Sequence, residues 1–349
     1  KQDSKKRSIN NSKSTLKIKY CMQHVSDKWY SPNIDRAVIK ELKKRSDAPG
    51  WQHMIIFFSL LTLAGIGSVY TYGSWWFLLP YFIYCTLWGG SDAIWHECGH
   101  RTAFKSRKLN DYFYYIASYM DNFEPIRWRW SHTLHHSYTG STDPHDFESD
   151  HQIFAKPCLF GFVLMFVPGS AFLTLHKSLY VEIVQHALGI NTKVMREAVP
   201  QQEQWKCRLS SRIFVAIWIG LIAWSIWAWT LLPVLLFLVP KFFATLNIVW
   251  GLTQHWGLPE NVKDHRLSTR SVKLNPLFSF IYWKMEYHVE HHMFPMIPSY
   301  NLPKLRKVIE HELPARQTLW QAYKQIIPGV IKKSKDKNYS IKMQLPAEA

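Results

Sequence analysis

Cysteine is scarce in this chain, with only five residues among 349. None of them stands in a Cys-x-x-Cys pair, so their spacing predicts neither a disulfide framework nor a structural zinc site. The sequence also has no cysteine set for an iron–sulfur cluster, no His-Pro-Gly-Gly haem motif and no Gly-x-Gly-x-x-Gly dinucleotide fingerprint. Any redox chemistry at this protein would therefore need electrons from outside the chain.

Acidic residues are few as well. The 25 Asp and Glu residues are outnumbered by 42 Lys and Arg residues, which gives a formal net charge of +17. Such an excess can indicate nucleic-acid binding. Here the basic residues flank long apolar segments, so membrane topology and attraction to anionic lipid headgroups explain them. We expect membrane lipid as a partner and no nucleic acid.

Apolar residues, by contrast, lie in long runs. Residues 53–72 and 75–91 carry no charge, and the block 213–250 is interrupted by Pro233, Pro240 and Lys241. About 20 apolar residues cross a bilayer. We therefore predict an all-α integral membrane protein with four spanning helices in two hairpins, at 54–72, 75–95, 213–232 and 233–251. The mean hydropathy of −0.17 is low because it averages these segments with polar ones.

The distribution of positive charge predicts the orientation of these spans. Lys and Arg residues lie in the N-terminal arm, after residue 95, between residues 177 and 212, and after residue 257, but not in the turns 72–74 and 229–233. By the positive-inside rule, the N-terminus, both large loops and the C-terminal region are cytoplasmic. The apolar segment 157–175 is broken by Pro168 and Gly169 and flanked by Lys156 and Lys177. We expect it to form a re-entrant or interfacial hairpin, because a fifth crossing would separate the histidines described next.

Histidine is the most informative residue type. Of 17 histidines, eight form three clusters with helical i, i+3 or i+4 spacing, so each cluster can present its imidazoles on one face. The clusters are His96 and His100; His132, His135 and His136; and His288, His291 and His292. Three such faces supply too many nitrogens for one tetrahedral zinc ion but suit two six-coordinate ions. We predict a two-metal centre, and we interpret the metal as iron.

Six other histidines lack paired helical spacing, and a lone histidine is more often a packed or surface residue than a ligand. We leave them out of the predicted site: His145, His151, His176, His186, His265 and His311. His53, at the start of the first apolar run, is expected to mark the membrane interface. Cys98, inside the first cluster, is expected to be a small packed residue.

The three clusters resemble the histidine boxes of the membrane-bound fatty-acid desaturase and hydroxylase superfamily, over roughly residues 50–312. They read His-Glu-Cys-Gly-His at 96–100, His-Thr-Leu-His-His at 132–136 and His-Val-Glu-His-His at 288–292. Phe104 after the first box and Arg127-Trp128 before the second are similar to acyl-lipid desaturases. They also resemble bacterial desaturase-like oxidases, some of which hydroxylate and others of which decarboxylate fatty acids to terminal alkenes.

The resemblance implies a non-haem di-iron centre that uses dioxygen and two electrons, in a transmembrane bundle capped by a cytosolic helical domain. It also implies a ninth ligand, His255, at the cytoplasmic end of the last span. Some members have an Asn one turn earlier that contacts the iron through water, where this sequence has Gly251. Gln254 is no obvious substitute, because it points about 100° away from His255 on a helix.

Metal-bound histidines usually donate their outer ring N–H to an acceptor. The main candidates are Asp92, one turn before His96, and Asp143, Asp146 and Glu148, which follow the second box. Glu97, Glu286 and Glu290 are weaker candidates.

Lys241 lies inside the last predicted span. A charged residue at such a position is by default a candidate for a functional role. On a straight helix it would be roughly 21 Å from His255, which suits the carboxylate of a long acyl chain. The alternative, which we favour, is that its side chain snorkels to the outer interface.

Together these features predict a basic cytosolic arm at 1–50, a desaturase-like membrane domain at 51–312 and a cytosolic C-terminal tail at 313–349. The first thirty residues are expected to be disordered and to contain no signal peptide. The predicted activity is that of an oxidoreductase, a fatty-acid desaturase supplied with electrons by cytochrome b5, ferredoxin or rubredoxin and a reductase. Hydroxylation and oxidative decarboxylation are alternatives, since they share the same hydrogen abstraction. A non-catalytic membrane protein that binds metal is an alternative of another class.

Overall fold

The computed structural model describes residues 28–149, 158–177 and 179–346. Helices dominate these ranges. They are α1 (Arg36–Leu42), α2 (Asp47–Thr71), α3 (Leu78–Gly89), α4 (Ser91–Gly99), α5 (Arg107–Asp121), α6 (Pro125–Ser137), α7 (Leu159–Leu164), α8 (Leu179–Ala187), α9 (Lys193–Ala198), α10 (Gln204–Trp227), α11 (Leu232–Phe237), α12 (Pro240–Phe243), α13 (Leu246–Gly251), α14 (His265–Ser268), α15 (Pro276–Ile281), α16 (His288–Met293), α17 (Leu302–Ile309) and α18 (Leu319–Lys335). Short 3-10 helices cover Trp75–Phe77, Ser170–Lys177, Gln201–Glu203, Ser299–Asn301 and Glu310–Glu312.

Strand structure is almost absent from the described residues. Two strands of two residues each, β1 (Val272–Lys273) and β2 (Gln317–Thr318), pair in parallel and connect the start of α18 to the segment between α14 and α15. The prediction of an all-α protein is confirmed at this level.

Two helices are long and apolar enough to cross a membrane, and they correspond to the first and third predicted spans. They are α2 and the continuous stretch Gln201–Trp227 that contains α10. Both present exposed apolar side chains, such as Leu63 and Ile219, which is typical of a surface that faces lipid. Tryptophans beside the turns 72–74 and 229–233, Trp75 at 89% and Trp229 at 95% exposure, have the character of an interfacial aromatic belt.

The other two predicted spans are not single helices. Residues 75–95 are divided among a 3-10 helix, α3 and α4, with a break at Gly90. A Cβ atom at Gly90 would lie 2.7 Å from Cγ2 of Ile281, so glycine allows a close approach there. Residues 233–251 are divided among α11, α12 and α13, with Pro240 at the start of α12. Proline lacks the N–H that a continuous helix needs, which explains the break.

The segment predicted as a re-entrant or interfacial hairpin is divided into two short helical pieces by a turn. Helix α7 and the 3-10 helix Ser170–Lys177 are separated by Gly169, whose φ of +82° suits glycine. Phe172 stacks on Phe242 at 4.1 Å between ring centroids. Phe162 packs against Trp256 beneath α18. This segment therefore contacts the region of the fourth predicted span as well as the C-terminal helix.

Both ends of the described chain pack on the domain. Helix α18 begins with a capping box formed by Thr318 and Gln321 and buries Ile326 and Val330, so much of the predicted tail is folded. At the other end, Trp29 stacks on His265 with ring centroids 4.0 Å apart. The disorder predicted for the first thirty residues falls mostly on residues 1–27, outside the described residues.

Candidate metal centre

Four local structures carry the nine histidines predicted as ligands. Helix α4 carries His96 and is followed directly by His100, α6 carries the second cluster near its C-terminus, α16 consists largely of the third cluster, and His255 follows α13. Helix α6 is fixed at its start by Glu124, whose carboxylate accepts hydrogen bonds from the backbone N–H groups of Ile126 and Arg127, and by Pro125 in the first turn. The site is thus mounted on helix ends from distant parts of the chain.

The structure brings all nine side chains together, in two groups of ligand atoms. One group is His96, His100, His132, His136 and His291, and the other is His135, His255 and His292. His288 joins the second group, since its Nε2 lies 2.8 Å from Nε2 of His255 and 3.1 Å from Nε2 of His292. Two clusters of nitrogens are the arrangement that two metal ions require.

The spacing of the nitrogens fits metal ions better than hydrogen bonds. Nε2 of His132 lies 2.9 Å from Nε2 of His100 and 3.2 Å from Nε2 of His136, which in turn lies 3.2 Å from Nε2 of His291. A neutral imidazole has a single N–H, so such contacts cannot all be hydrogen bonds. Adjacent ligands of a six-coordinate ion, with metal–nitrogen distances of about 2.1 Å, lie about 3 Å apart.

His96 provides a second test of this fit. Both of its ring nitrogens are buried and have no hydrogen-bond partner in the described part of the chain. A buried polar atom without a partner costs free energy, of the order of 1–3 kcal/mol. A metal ion at this position would satisfy one of the two nitrogens, so the donor set fits a bound cation.

Several histidines are oriented by acceptors behind them. Nδ1 of His135 lies 2.9 Å from Oδ2 of Asp146, and Nδ1 of His132 lies 2.9 Å and 3.0 Å from the two oxygens of Glu148. The backbone carbonyl of Ser268 lies 2.9 Å from Nδ1 of His255. These contacts keep the proton on Nδ1, so that Nε2 faces the centre with its lone pair.

The sequence-based search for acceptors was right for Asp146 and Glu148 and wrong for the others. In the described ranges Asp92 accepts no hydrogen bond from a histidine, and Asp143 is exposed. The three weaker candidates bind elsewhere: Glu97 accepts from the backbone of Ser299, Glu286 from the hydroxyl of Ser279, and Glu290 from Ser271 and Arg306.

Sequence reasoning missed three polar partners. Oγ1 of Thr139 lies 3.1 Å from Nδ1 of His292, and the amide nitrogen of Gln254 lies 3.2 Å from Nδ1 of His288. The third is the carbonyl of Ser268. Thr139 stands four residues after His135, and its hydroxyl also donates to the carbonyl of that residue. That helical spacing is the one signal that could have indicated it.

Burial sets the charge of the site. It lowers the pKa of most of the clustered histidines well below the ordinary value, and that of His255 to about 3, so these imidazoles are neutral. Burial acts in the same direction on His135, but Asp146 and Glu148 outweigh it and raise the pKa of His135 to about 9. Burial would raise the pKa of Glu148, yet His132 and His135 hold it below its ordinary value. The site therefore combines one protonated histidine, His135, with neutral imidazoles and two ionised carboxylates, and a metal ion must displace the proton of His135.

A cavity of about 340 Å³, here called the apolar cavity, opens onto the histidines. His96, His132, His135 and His288 form part of its wall. The rest is mainly apolar and aromatic, and includes Trp95, Phe123, Trp128, Met165, Phe242, Ile248, Leu252 and Met285. Gly251 also lines it, and a Cβ atom there would meet only the hydroxyl of Tyr282, at 3.9 Å. The histidines are thus reachable by an apolar ligand.

Lys241 lines the same cavity. Its ammonium group donates to Asp121, a wholly buried carboxylate that also accepts from Ser91 at 2.8 Å, and lies 5.5 Å from the ring centre of Phe123. The interpretation that Lys241 snorkels to the outer interface is wrong, because an inward carboxylate holds it. The straight-helix distance to His255 does not apply either, since α12 and α13 are separate helices.

The histidines left out of the site have varied surroundings. His53 is buried and stacks on Trp283 at 4.0 Å, and His265 lies 5.2 Å from the ring of His292 without belonging to either ligand group. His186 is buried beside Cys207, far along the sequence from the boxes. Cys98 is buried, as expected of a packed residue. His151 and the side chain of His176 lie outside the described residues.

Comparison with known proteins gives a consistent result. The family model described as "Fatty acid desaturase" matches residues 73–324, which confirms the resemblance inferred from the boxes. The chain is 24% identical over 250 residues to an sn-1 oleoyl-lipid 12-desaturase of Picosynechococcus, covering 71% of this chain and 59% of that protein.

Two further relatives are similar at the same level. A Delta(6)-fatty-acid desaturase, fat-3, of Caenorhabditis elegans is 22% identical over 270 residues, covering 67% of this chain and 58% of that protein. An sn-1 acyl-lipid omega-3 desaturase (ferredoxin) of Synechocystis is 23% identical over 305 residues, covering 76% and 78%. The matched region thus spans about three-fifths of the length of the first two relatives.

Proposed function

This chain belongs to the fatty acid desaturase family, whose members are membrane-bound oxidoreductases that use iron, and we propose that it is a dioxygen-dependent di-iron desaturase of an acyl chain. The observation that carries the proposal is the convergence of nine histidines in two groups beside an apolar cavity. Neither a lone structural metal site nor a surface histidine patch needs a cavity that an alkyl chain can fill.

The nine histidines are the proposed ligands. One ion would be held by His96, His100, His132, His136 and His291, and the other by His135, His255, His288 and His292. When bound, the two iron ions supply the activation of dioxygen that attack on an unactivated C–H bond requires. Two electrons must come from outside these 349 residues, because they contain no sequence motif for a redox cofactor.

The rest of the chain positions the substrate and protects the site. Trp95, Trp128 and Met285 form apolar walls that would hold methylene groups next to His96 and His132 and exclude water. Asp146 and Glu148 hold protons on the outer nitrogens of His135 and His132. Desaturation removes two hydrogen atoms from the substrate and, with two electrons and two protons from outside, converts dioxygen to two water molecules.

We further propose that the chain crosses the membrane four times with its metal centre on the cytoplasmic side. Two long apolar helices and the exposed tryptophans beside the turns 72–74 and 229–233 support this topology. The second and fourth crossings would be made by broken helices. Breaks of this kind are tolerated at membrane depth where the freed backbone groups are buried in protein or line a cavity, and α12 and α13 do line the apolar cavity.

The substrate is proposed to be a fatty acid or an acyl lipid, because the relatives are named for acyl-lipid and fatty-acid desaturation. Lipids and volatile products of cells that express the wild type would be compared by mass spectrometry with those of a His135→Ala, His292→Ala variant. His311→Ala is the matched control, since His311 is 70% exposed and outside both ligand groups.

The mass of the product separates the possible reactions. A product that lacks two hydrogen atoms, made by the wild type and the control but not by the double variant, is the expected result. A product with one added oxygen atom would indicate hydroxylation instead, and an alkene one carbon shorter would indicate decarboxylation. Bound iron with no dioxygen-dependent product from any supplied acyl substrate would favour a metal-binding protein without catalysis.

A further inference from the structure

A second recess reaches the histidines by a different route. It has a volume of about 410 Å³ and shares no lining residue with the apolar cavity. His255 forms part of its inner wall, and the loops around Ser141, Thr142 and Pro259 form much of the rest. Hydroxyl and charged side chains at its mouth, including Glu260 and Lys333, make it a poor channel for an alkyl chain.

The side chain of His255 connects this recess with the metal centre. Its Nε2 lies 2.8 Å from Nε2 of His288, and its ring centre lies 4.9 Å from that of His135 and 4.7 Å from that of His292. The imidazole is only partly buried. A molecule bound in the recess can therefore contact His255, a proposed iron ligand, without passing through the apolar cavity.

The chain segment beside the recess is rich in lysine. Five of them, here called the lysine patch, lie between residues 332 and 342: Lys332, Lys333, Lys335, Lys337 and Lys342. Lys333 lines the recess and pairs with Glu260 at 3.0 Å. The backbone N–H of Ile341 donates to the carbonyl of Gly257, which lines the recess. This contact holds the segment that carries Lys337 and Lys342 next to the mouth.

The helix dipole accounts only for the lysines of the patch that lie within α18. Lysines in the last turn of α18 interact favourably with the negative end of its dipole. Lys337 and Lys342 lie beyond the helix and are exposed. Asp336 is the acidic residue within the segment 332–342, and Glu260 is paired with Lys333. The patch therefore keeps a net positive charge, which would attract an acidic surface.

We propose that the recess and the lysine patch form the docking site for a small acidic protein that carries one electron, of the ferredoxin type, and that electrons reach the metal pair by way of His255. This inference rests on the proposed function, which requires two electrons from outside for each turnover. Each encounter oxidises one reduced carrier and delivers one electron, so two successive encounters are needed. Electron-transfer complexes of this kind have small interfaces and short lifetimes. Charge complementarity raises their rate of association.

Binding of a purified plant-type ferredoxin tests the site independently of catalysis. The iron-loaded protein, in nanodiscs of zwitterionic phosphatidylcholine, would be titrated with ferredoxin at low and at physiological ionic strength. The variant is Lys335→Glu, Lys337→Glu, Lys342→Glu. A matched control is Lys40→Glu, Lys43→Glu, which reverses two exposed lysines at α1. We expect the Kd of the triple variant to rise at least about tenfold and to lose most of its salt dependence, with no change in the control.

Turnover separates this inference from the proposed function. With ferredoxin as donor, the triple variant should show a KM for ferredoxin raised to the same extent. When it is reduced anaerobically with dithionite, freed of the excess reductant and then exposed to dioxygen, it should give the same single-turnover product yield as the wild type, because a small reductant needs no docking site. If the wild type gave no product with dithionite, the proposed function would fail, and the Kd comparison would still decide whether ferredoxin docks at the patch.

Two results would overturn the docking site. One is a triple variant that binds ferredoxin with the affinity and salt dependence of the wild type. The other is a variant whose ferredoxin binding is unchanged while its association with anionic phosphatidylglycerol vesicles is lost, since the lysines would then serve lipid headgroups rather than a protein.

Discussion

Replacement of Glu148 tests how the protein orients its metal ligands. Both carboxylate oxygens of Glu148 lie within 3.0 Å of Nδ1 of His132, and the side chain is 11% exposed. Leucine at this position keeps similar bulk but removes both acceptors and the charge. Loss of an outer partner of a metal ligand typically lowers metal affinity 10- to 100-fold. That range corresponds to about 1.4–2.7 kcal/mol.

Glutamine provides the intermediate step in the series. Glu148→Gln retains one carbonyl oxygen that can still accept from Nδ1, so it should lose only the contribution of the charge and bind metal more tightly than Glu148→Leu. Affinity would be measured by competitive titration of detergent-solubilised protein with cobalt(II) and a chelator. Glu41→Leu is the control, since Glu41 is exposed on α1. Wild-type affinity in Glu148→Leu would refute the view that this carboxylate positions His132.

Three further predictions concern other parts of the molecule. Lys241→Met should destabilise the protein by about 3–5 kcal/mol, because it leaves Asp121 buried and unpaired, and adding Asp121→Leu should restore the melting temperature in detergent. Metal must displace a proton from His135, whose pKa is raised to about 9, so apparent metal affinity should fall about tenfold for each pH unit below pH 9. A metal affinity that did not change with pH below pH 9 would contradict this. Gly90→Ala should cost about 1–3 kcal/mol by overpacking against Ile281, and Ile281→Ala should relieve part of that cost in a double variant.

Much of the metal centre could be predicted from the sequence because the spacing of the histidines along the chain identifies them as possible metal ligands. Histidines at i, i+3 and i+4 must share a helix face, so each cluster can be recognised without any knowledge of the fold. His255 came only from the family resemblance, because a lone histidine has no spacing to mark it. Acceptors such as Ser268 and Thr139 act through geometry that joins separate segments, and a backbone carbonyl leaves no trace in the sequence.

The fold was predictable in class and less so in detail. Long uncharged runs predicted α2 and α10. Both helices have many exposed apolar side chains, as expected of helices that face lipid. The breaks in the other two apolar runs depend on Pro240 and on the close approach of Gly90 to Ile281, a contact between residues far apart in the chain. The position of Lys241 could not be inferred for the same reason, since Asp121 lies in a different helix.

The number of iron ions bound by each chain tests the central claim most directly. Purified protein loaded anaerobically with iron(II) would be desalted, and its iron content measured beside His96→Ala and His292→Ala variants. These two histidines belong to different ligand groups. Two ions per wild-type chain, with a loss of metal in each variant, is the predicted result. One ion per chain, or variants with undiminished iron, would contradict a two-metal centre built from these histidines.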